Sequence, residues 1–167
     1  MAEIQHWKGF RELEENLKML GAEVHEKGVK RMMSRAAVPM RDDARRRAPV
    51  LKTPDPRRRA GTLQRAIQIW RKRITRYAVT YYVGVRGLSR KAMRAFKEKS
   101  GSRGVENPND PFYWRWQELG VPSRGIPAQG FLRKAFEAQK TESVRVALLE
   151  GREFVRKTAA KFKKTRR

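Results

Sequence analysis

Apolar residues fall at helical spacing near the start of the chain. Phe10, Leu13, Leu17 and Leu20 share one face, Glu12, Glu14, Glu15 and Lys18 fill the others, and Gly21 supplies a stop. A longer helix should follow, with Val24, Met32, Met33, Ala36, Ala37, Met40 and Ala44 on one side and Ala48-Pro49 as its end. Pro39 lies inside that pattern and is expected to kink or split it, because proline removes an amide donor and crowds the preceding turn. The methionines suit an adaptable groove, but a core stripe is the plainer reading.

From residue 50 to 62 the periodicity is lost. Pro54, Pro56, the run Arg57-Arg58-Arg59 and Gly61 make a mobile basic loop there. Beyond it, Leu63, Ile67, Ile69, Ile74, Tyr77, Val79, Tyr81, Val83 and Val85 bring the alternation and β-branching of strands. Two antiparallel strands, about 63–72 and 77–85, are predicted, joined by a basic turn at Arg73–Arg76 and with Gly84 and Gly87 bounding the second. Residues 88–110 are polar and basic; Arg90–Lys99 suits a helical turn and the remainder a loop.

The stretch Pro111–Ala138, PFYWRWQELGVPSRGIPAQGFLRKAFEA, carries the most information. It is too aromatic for a solvated loop and too rich in Gly and Pro for one regular element. It reads as a third strand at Tyr113–Leu119, a turn-rich connection over Val121–Gln129, and a helix from Phe131. Strand alternation would put Phe112, Trp114 and Trp116 on one face and Tyr113 on the other, one face core and the other an anchor for a neighbouring subunit. Leu132, Ala135, Phe136, Val144, Leu148, Phe154, Val155 and Phe162 continue the last helix, with fraying expected from Lys161 to Arg167.

Charge changes this picture most. The formal net charge of +24 over 167 residues attracts polyanions and repels like copies, so nucleic acid, acidic lipid or acidic protein should lie nearby. It is unevenly spread: residues 1–30 hold five basic and six acidic side chains, 41–76 hold thirteen and three, and 151–167 hold eight and one. The length fits one domain, taken as 1–150, followed by a basic helical extension or tail at 151–167. The absence of cysteine excludes disulfides, thiolate zinc sites and a cysteine nucleophile. With no apolar run near membrane length and no signal-peptide core, a soluble, cytosolic chain is expected, with no membrane contact.

Catalytic chemistry finds little support. His6 and His25 lie in the near-neutral N-terminal region, far from any Ser–Asp pattern, and suit surface positions better than a general base. Asp42-Asp43 project at different angles, with Asp110 and Glu118 far along the chain, so no carboxylate cluster for a metal is foreseen. Gly84-Val85-Arg86-Gly87 lacks the lysine and spacing of a phosphate loop. No enzyme, cofactor or metal is expected. The basic runs suit phosphates instead: Arg57, Arg58 and Arg59 in a loop and Arg71, Lys72 and Arg73 at a hairpin tip could meet DNA or an acidic partner without reading sequence. Exposed rings of Phe112, Tyr113, Trp114 and Trp116 could alternatively stack single-stranded bases.

The ordered steps Ala48-Pro49, Gly61-x-Leu63, Tyr113-Trp114, Glu118-Leu119-Gly120, Pro127-Ala128 and Phe131-Leu132-Arg133-x-Ala135 carry a resemblance. The chain resembles the gene-product-ten-like family of tail-completion and neck proteins of HK-type siphophages over most of its length. Leu119 stands where that family usually has Phe, Val121 where it has Thr, Gln129-Gly130 where it has Arg-Pro, and Ala66 where it has Ser.

The resemblance implies a structural virion protein at the head–tail junction: a tail-completion, tail-terminator or neck ring around the DNA channel. Its partners would be copies of itself, with a hexamer guessed from tail symmetry, the head-closure and tail-tube proteins, and channel DNA held nonspecifically. Tyr113, Trp114, Trp116, Glu118, Gly120, Pro127, Phe131, Leu132 and Arg133 are the expected assembly residues, with Glu118 neutralising a basic neighbour such as Arg133. The expected fold is α+β: a small antiparallel sheet of three to four strands packed by a long N-terminal helix and a C-terminal helix. A nonspecific nucleic-acid-binding protein is the alternative from charge alone, but it leaves the signature at 118–133 without a purpose.

Overall fold

The computed structural model describes residues 21–22, 27–52, 55, 58–74, 79–102 and 106–164, with backbone alone at 73–74 and 162–164. The expected helix over Phe10–Leu20, Val24, both histidines, Arg57 and the hairpin turn at 75–78 lie outside the described residues.

Helix α1 spans Val29–Arg47. It ends where Pro49 forces the preceding residue extended, and Ala48 has φ −62 and ψ 132 while its N–H still reaches Ala44 O. Arg45, Arg46 and Arg47 crowd the last turn, at the negative end of the helix dipole. Contrary to the expected break, α1 continues through Pro39; Ala37 before it and Ala44 after it are both buried, so packing holds the two halves in one register.

The predicted first strand begins later than expected. Gly61 at φ +73 starts a five-residue helix, α2, Thr62–Ala66, and β1 follows at Ile67–Ile74. Both the N–H and the Oγ1–H of Thr62 donate to Arg59 O, and the hydroxyl also reaches Pro108 O at 3.1 Å. These bonds favour a helical turn over the extended chain that Leu63 and Ala66 would otherwise allow. Strand β2, Val79–Val85, pairs antiparallel with β1, from Ile67 opposite Val85 to Ile74 opposite Val79, with a register slip between Arg71 and Arg73. Gly84 lies inside β2 rather than bounding it, and a side chain there would meet the Trp70 ring at 3.1 Å.

Among the described residues the sheet has two strands, not three or four. Helix α3, Arg90–Ser100, is longer than the expected single turn, with the Ser89 hydroxyl accepting from the Ala92 N–H and Gly101 closing the other end at φ +69. The predicted third strand is instead helix α4, Trp114–Leu119. Pro111 O accepts from Trp114 N–H and Tyr113 O from the N–H groups of Trp116 and Gln117, local bonds that an extended strand cannot make. The apparent strand alternation is therefore helical: Phe112 and Trp116 are one turn apart, with rings edge to face at 5.7 Å.

Helix α5, Phe131–Lys164, is 34 residues and about 50 Å long, and it runs without interruption past residue 150 and into the stretch expected to fray. It packs antiparallel on α1: Met32 and Phe154 sit where Gly151 and Gly28 would carry side chains, and Arg31 pairs with Glu150 at 2.9 Å. At the opposite end Ala44, Ala48, Leu63, Ile67, Phe131 and Ala135 form the buried core, bordered by Val83, Val85, Tyr113, Trp114 and Leu132. The guanidinium of Arg45 donates twice to Ile67 O, and Gln64 Nε2 donates to Arg45 O, tying α1 to the start of the sheet. The α+β architecture thus stands, with α1 packed on both strands of a small sheet and α5 packed on α1.

Candidate assembly surface

The chain around α4 forms a corner that the sequence pattern split into separate pieces. Pro111 is fully buried and fixes the base of the corner. Above it, Phe112 lies edge to face on both Tyr113 and Trp116, and is 46% exposed. Arginines clothe these rings. Arg58 sits 5.1 Å from the Tyr113 centroid and 6.0 Å from that of Phe112, Arg124 sits 5.6 Å from Trp116, and Arg115 sits 5.5 Å from Trp114. Each such contact contributes about 0.5–1 kcal/mol at an exposed site and leaves further donors pointing outward. Burial pushes the Tyr113 hydroxyl above its usual range, against the pull of Arg58 and Arg65.

The corner is locked to α5 by backbone geometry. Gly120 has φ +74, and a Cβ there would stand 2.7 Å from Ala128 N and 2.9 Å from Ile126 O. Only glycine lets the chain turn back so closely. Val121 and Ile126 exchange N–H···O bonds around a short 3-10 turn, Pro122–Arg124. Gln129 then bonds Gln117 through backbone and side chain, and Gly130 N–H reaches Glu118 O.

Glu118 finishes the junction. Its carboxylate accepts from Leu132 N–H at 2.8 Å and Arg133 N–H at 3.1 Å. Sequence reasoning paired Glu118 with the Arg133 side chain, whereas the carboxylate instead caps the first turn of α5, where amides lack helical partners and the dipole favours negative charge.

The expected assembly residues Tyr113, Trp114, Trp116, Glu118, Gly120, Pro127, Leu132 and Arg133 are therefore brought together around one corner. Phe131 belongs to the corner but is 1% exposed, so its part is to hold the core. Leu119, 63% exposed beside Gly120, and Phe112 are the exposed large apolar residues of the corner.

The basic candidates divide. Arg58 leaves the loop to stack on the corner, and Arg59 is exposed beside it with its N–H on Pro108 O. Arg71 is exposed on β1, and Lys72 leans on Tyr82, its Nζ 5.0 Å from the ring and 3.2 Å from the hydroxyl. Trp70 and Tyr82 stack beneath it with centroids 6.1 Å apart.

One feature escaped the sequence reading. Arg115 and Arg124 are scattered cations in the chain and become ring partners only when α4 and the 3-10 turn form. Helix α3, expected as a basic helical turn, has no buried residue, and carries Arg90, Lys91, Arg94, Lys97 and Lys99 against a single acid, Glu98.

Asp42 and Asp43 are each engaged by arginine. Asp42 pairs with Arg41 at 2.8 Å, and Asp43 pairs with Arg46 and Arg47 at 2.9 and 2.6 Å. Among the described residues no three His, Cys, Asp or Glu side chains gather as metal ligands, and no helix is long and apolar enough to cross a membrane.

No curated protein and no solved structure matches this chain. One family model does, described as "Bacteriophage HK97-gp10, putative tail-component", over residues 11–120. That span includes the arginine-clad corner through Gly120 and covers well over half of the chain, which accordingly belongs to the HK97-gp10-like family of phage tail components.

Proposed function

We propose that this protein is a ring-forming structural subunit at the phage head–tail junction, joining head to tail around the DNA channel, and not an enzyme. The observation that carries the reading is the corner itself: exposed Phe112 and Leu119 on α4 and its approach, with Arg58, Arg115 and Arg124 over the neighbouring rings, on a backbone fixed by Glu118 and Gly120. A central aromatic patch with an arginine rim is the composition of a protein–protein anchor. The tail-component family supplies the setting, and neighbouring tail or neck proteins are its natural partners.

The charge supports the channel half of the proposal. A ring of subunits at +24 each repels itself unless polyanion or an acidic neighbour lies against it. Arg59, Arg71 and the five cations of α3 are exposed groups that can meet phosphate without reading bases. Six copies, by the symmetry of phage tails, would surround the axis. In this reading the protein passes from the host cytoplasm, where it is made, into the virion.

Axial cryo-electron microscopy of particles tests both halves. Wild-type particles should show a ring at the junction that fits the α1–α5 pair and two-stranded sheet. A Phe112→Ser, Leu119→Ser variant should leave heads and tails unjoined while the purified subunit keeps its melting temperature. Reversing charge at Arg59 and Arg71 should weaken DNA retention, and untouched retention would remove DNA from the proposal. Particles lacking the chain altogether would favour the nonspecific nucleic-acid binder instead.

A further inference from the structure

Helix α3 stands apart from the rest of the described structure. No described helix or strand packs closely on it, and its ends are fixed locally, by the Ser89 hydroxyl on Ala92 N–H and by Gly101. Ala92, Met93 and Phe96 are half-buried, and every other residue of the helix is exposed. By helical geometry those three share one side. Arg90, Arg94 and Lys97 fall within about 60° of one another on a different side, with Lys91 next to them.

We propose that this stripe is a footing for the phosphate backbone of duplex DNA, held without regard to base sequence. The inference rests on the DNA half of the function proposed above and narrows it to one element. From Arg90 to Lys97 the helix rises about 10 Å, which matches about three phosphate steps along one strand of a duplex.

Pairing separates α3 from the other basic elements. Lys140, Arg145, Arg156 and Lys157 of α5 each meet a glutamate, and Arg46 and Arg47 of α1 share Asp43. Among the described residues the cations of α3 make no ion pair. Spacing points the same way. Arg90 and Arg94, and Arg94 and Lys97, are like charges four and three residues apart, which weaken a helix already short for independent stability. Phosphates set along the stripe remove that repulsion, so binding and helix order are coupled. Composition decides against an acidic protein as the partner. The larger apolar side chains of α3 are on its half-buried side, so the exposed stripe lacks the apolar centre of a protein interface. Cations alone suffice for phosphate. At the foot of the helix, Ala92 shares a cavity of about 380 Å³ with Arg65 and Arg86, both exposed, so the positive surface continues onto the body.

The test titrates purified full-length protein onto a labelled random-sequence duplex of about 30 base pairs, by fluorescence anisotropy at salt from about 50 to 300 mM. Arg90→Gln, Arg94→Gln, Lys97→Gln protein should lose about 2–3 from the slope of log affinity against log salt, with affinity at about 0.1 M salt falling about a hundredfold. All three side chains are exposed, so its melting temperature should match the wild type. A variant with the same charge removed from α5, Lys134→Gln, Arg145→Gln, Arg152→Gln, should lose less than about one from the slope. Equal losses in the two variants, or none in the first, would overturn the proposal. So would polyglutamate that binds as tightly as the duplex and depends equally on α3, an outcome that assigns the helix to an acidic protein. Amide exchange of the unmodified protein provides a check free of substitutions. The duplex should slow exchange in α3 several-fold more than in α5, and equal or lesser slowing in α3 would also overturn it. The readout needs no particle, so a negative result here leaves a junction ring standing, and particles without the chain leave this footing standing.

Discussion

Helix α5 meets two different surroundings along its length. At its start, Phe131 and Ala135 are buried, Glu118 caps the first amides and Gly120 brings the preceding loop within contact distance. From one and a half to nearly five turns later the same helix leaves Phe136, Val144 and Leu148 exposed, the first two on an open groove. Sequence makes the two stretches look alike, since both carry apolar residues at helical spacing. The difference lies in what reaches them: the corner is closed by hydrogen bonds from one neighbouring segment, whereas the groove is walled mainly by apolar side chains. A closed region should tolerate almost no change, and an open one should be adaptable.

The largest effect should come from Phe131→Ala. It removes a fully buried ring from the core and should cost about 3–5 kcal/mol, read as a fall in urea midpoint at constant slope. Phe136→Ala, one turn and a half onward, should cost about 1 kcal/mol if its half-exposed ring stays uncovered. A Phe136 cost approaching that of Phe131 would break the comparison and mean that the groove is filled in the free protein.

Next in size is Gly120→Ala. A left-handed backbone and a Cβ pressed on Ala128 and Ile126 should together destabilise by roughly 1–3 kcal/mol, and the loop would have to open to accommodate it. Gly151→Ala offers the matching change on the groove side of the helix pair. There the clash is with the flexible Met32 thioether, so the loss should be smaller. Thermal melts of the two variants side by side decide the order, and reversed values would mean that the helix pair, not the corner, is the rigid unit.

Glu118→Gln should rank third, at about 1 kcal/mol, because the amide keeps one acceptor and loses both the charge and the second bond at the dipole. Amide exchange at Leu132 and Arg133 should accelerate in this variant while exchange around Val144 stays constant. Uniform acceleration along α5 would show that the cap governs the whole helix.

These contrasts also explain what could be read from the sequence. The helices α1 and α5 were legible because Met32, Ala36, Ala44, Phe131 and Ala135 repeat at 3.6 residues, and β2 because Tyr81, Val83 and Val85 alternate. Helix α4 was not, because residues two apart and four apart are both satisfied by Phe112, Trp114 and Trp116. Only the bonds from Pro111 O and Tyr113 O settle which period applies. The corner residues were identifiable as a group through their aromatic and Gly–Pro content. Their arginine cover was not, since Arg58 and Arg124 are sixty-six positions apart in sequence and meet through rings that lie between them. Of the kink or split expected at Pro39, the split does not occur: burial of Ala37 and Ala44 on both sides holds α1 as one helix.

The smallest effects concern two buried aspartates, one at each region, and they should have opposite signs. Asp110 sits at the foot of the corner, where burial raises its carboxyl above the usual value. Its contribution is fully present below the unfolded pKa and is lost as pH rises through the folded one, so Asp110→Asn should raise the melting temperature at pH 7 and leave it unchanged near pH 3. Asp43 lies on α1 beside Ala44 at the end of the groove. Burial works against its charge, yet bonds to Arg47 and Arg46 outweigh that and hold the carboxyl below the usual range. Its contribution is present above the unfolded pKa and is lost as pH falls through the folded one. Asp43→Asn should therefore cost about 1 kcal/mol at neutral pH, the two arginines being largely exposed, with the loss disappearing in acid. Melting curves of both variants from pH 2.5 to about 7.5 read the two signs together. If Asp110→Asn is destabilising at neutral pH, the corner depends on a charged carboxylate at its base, and closure there is electrostatic as well as steric.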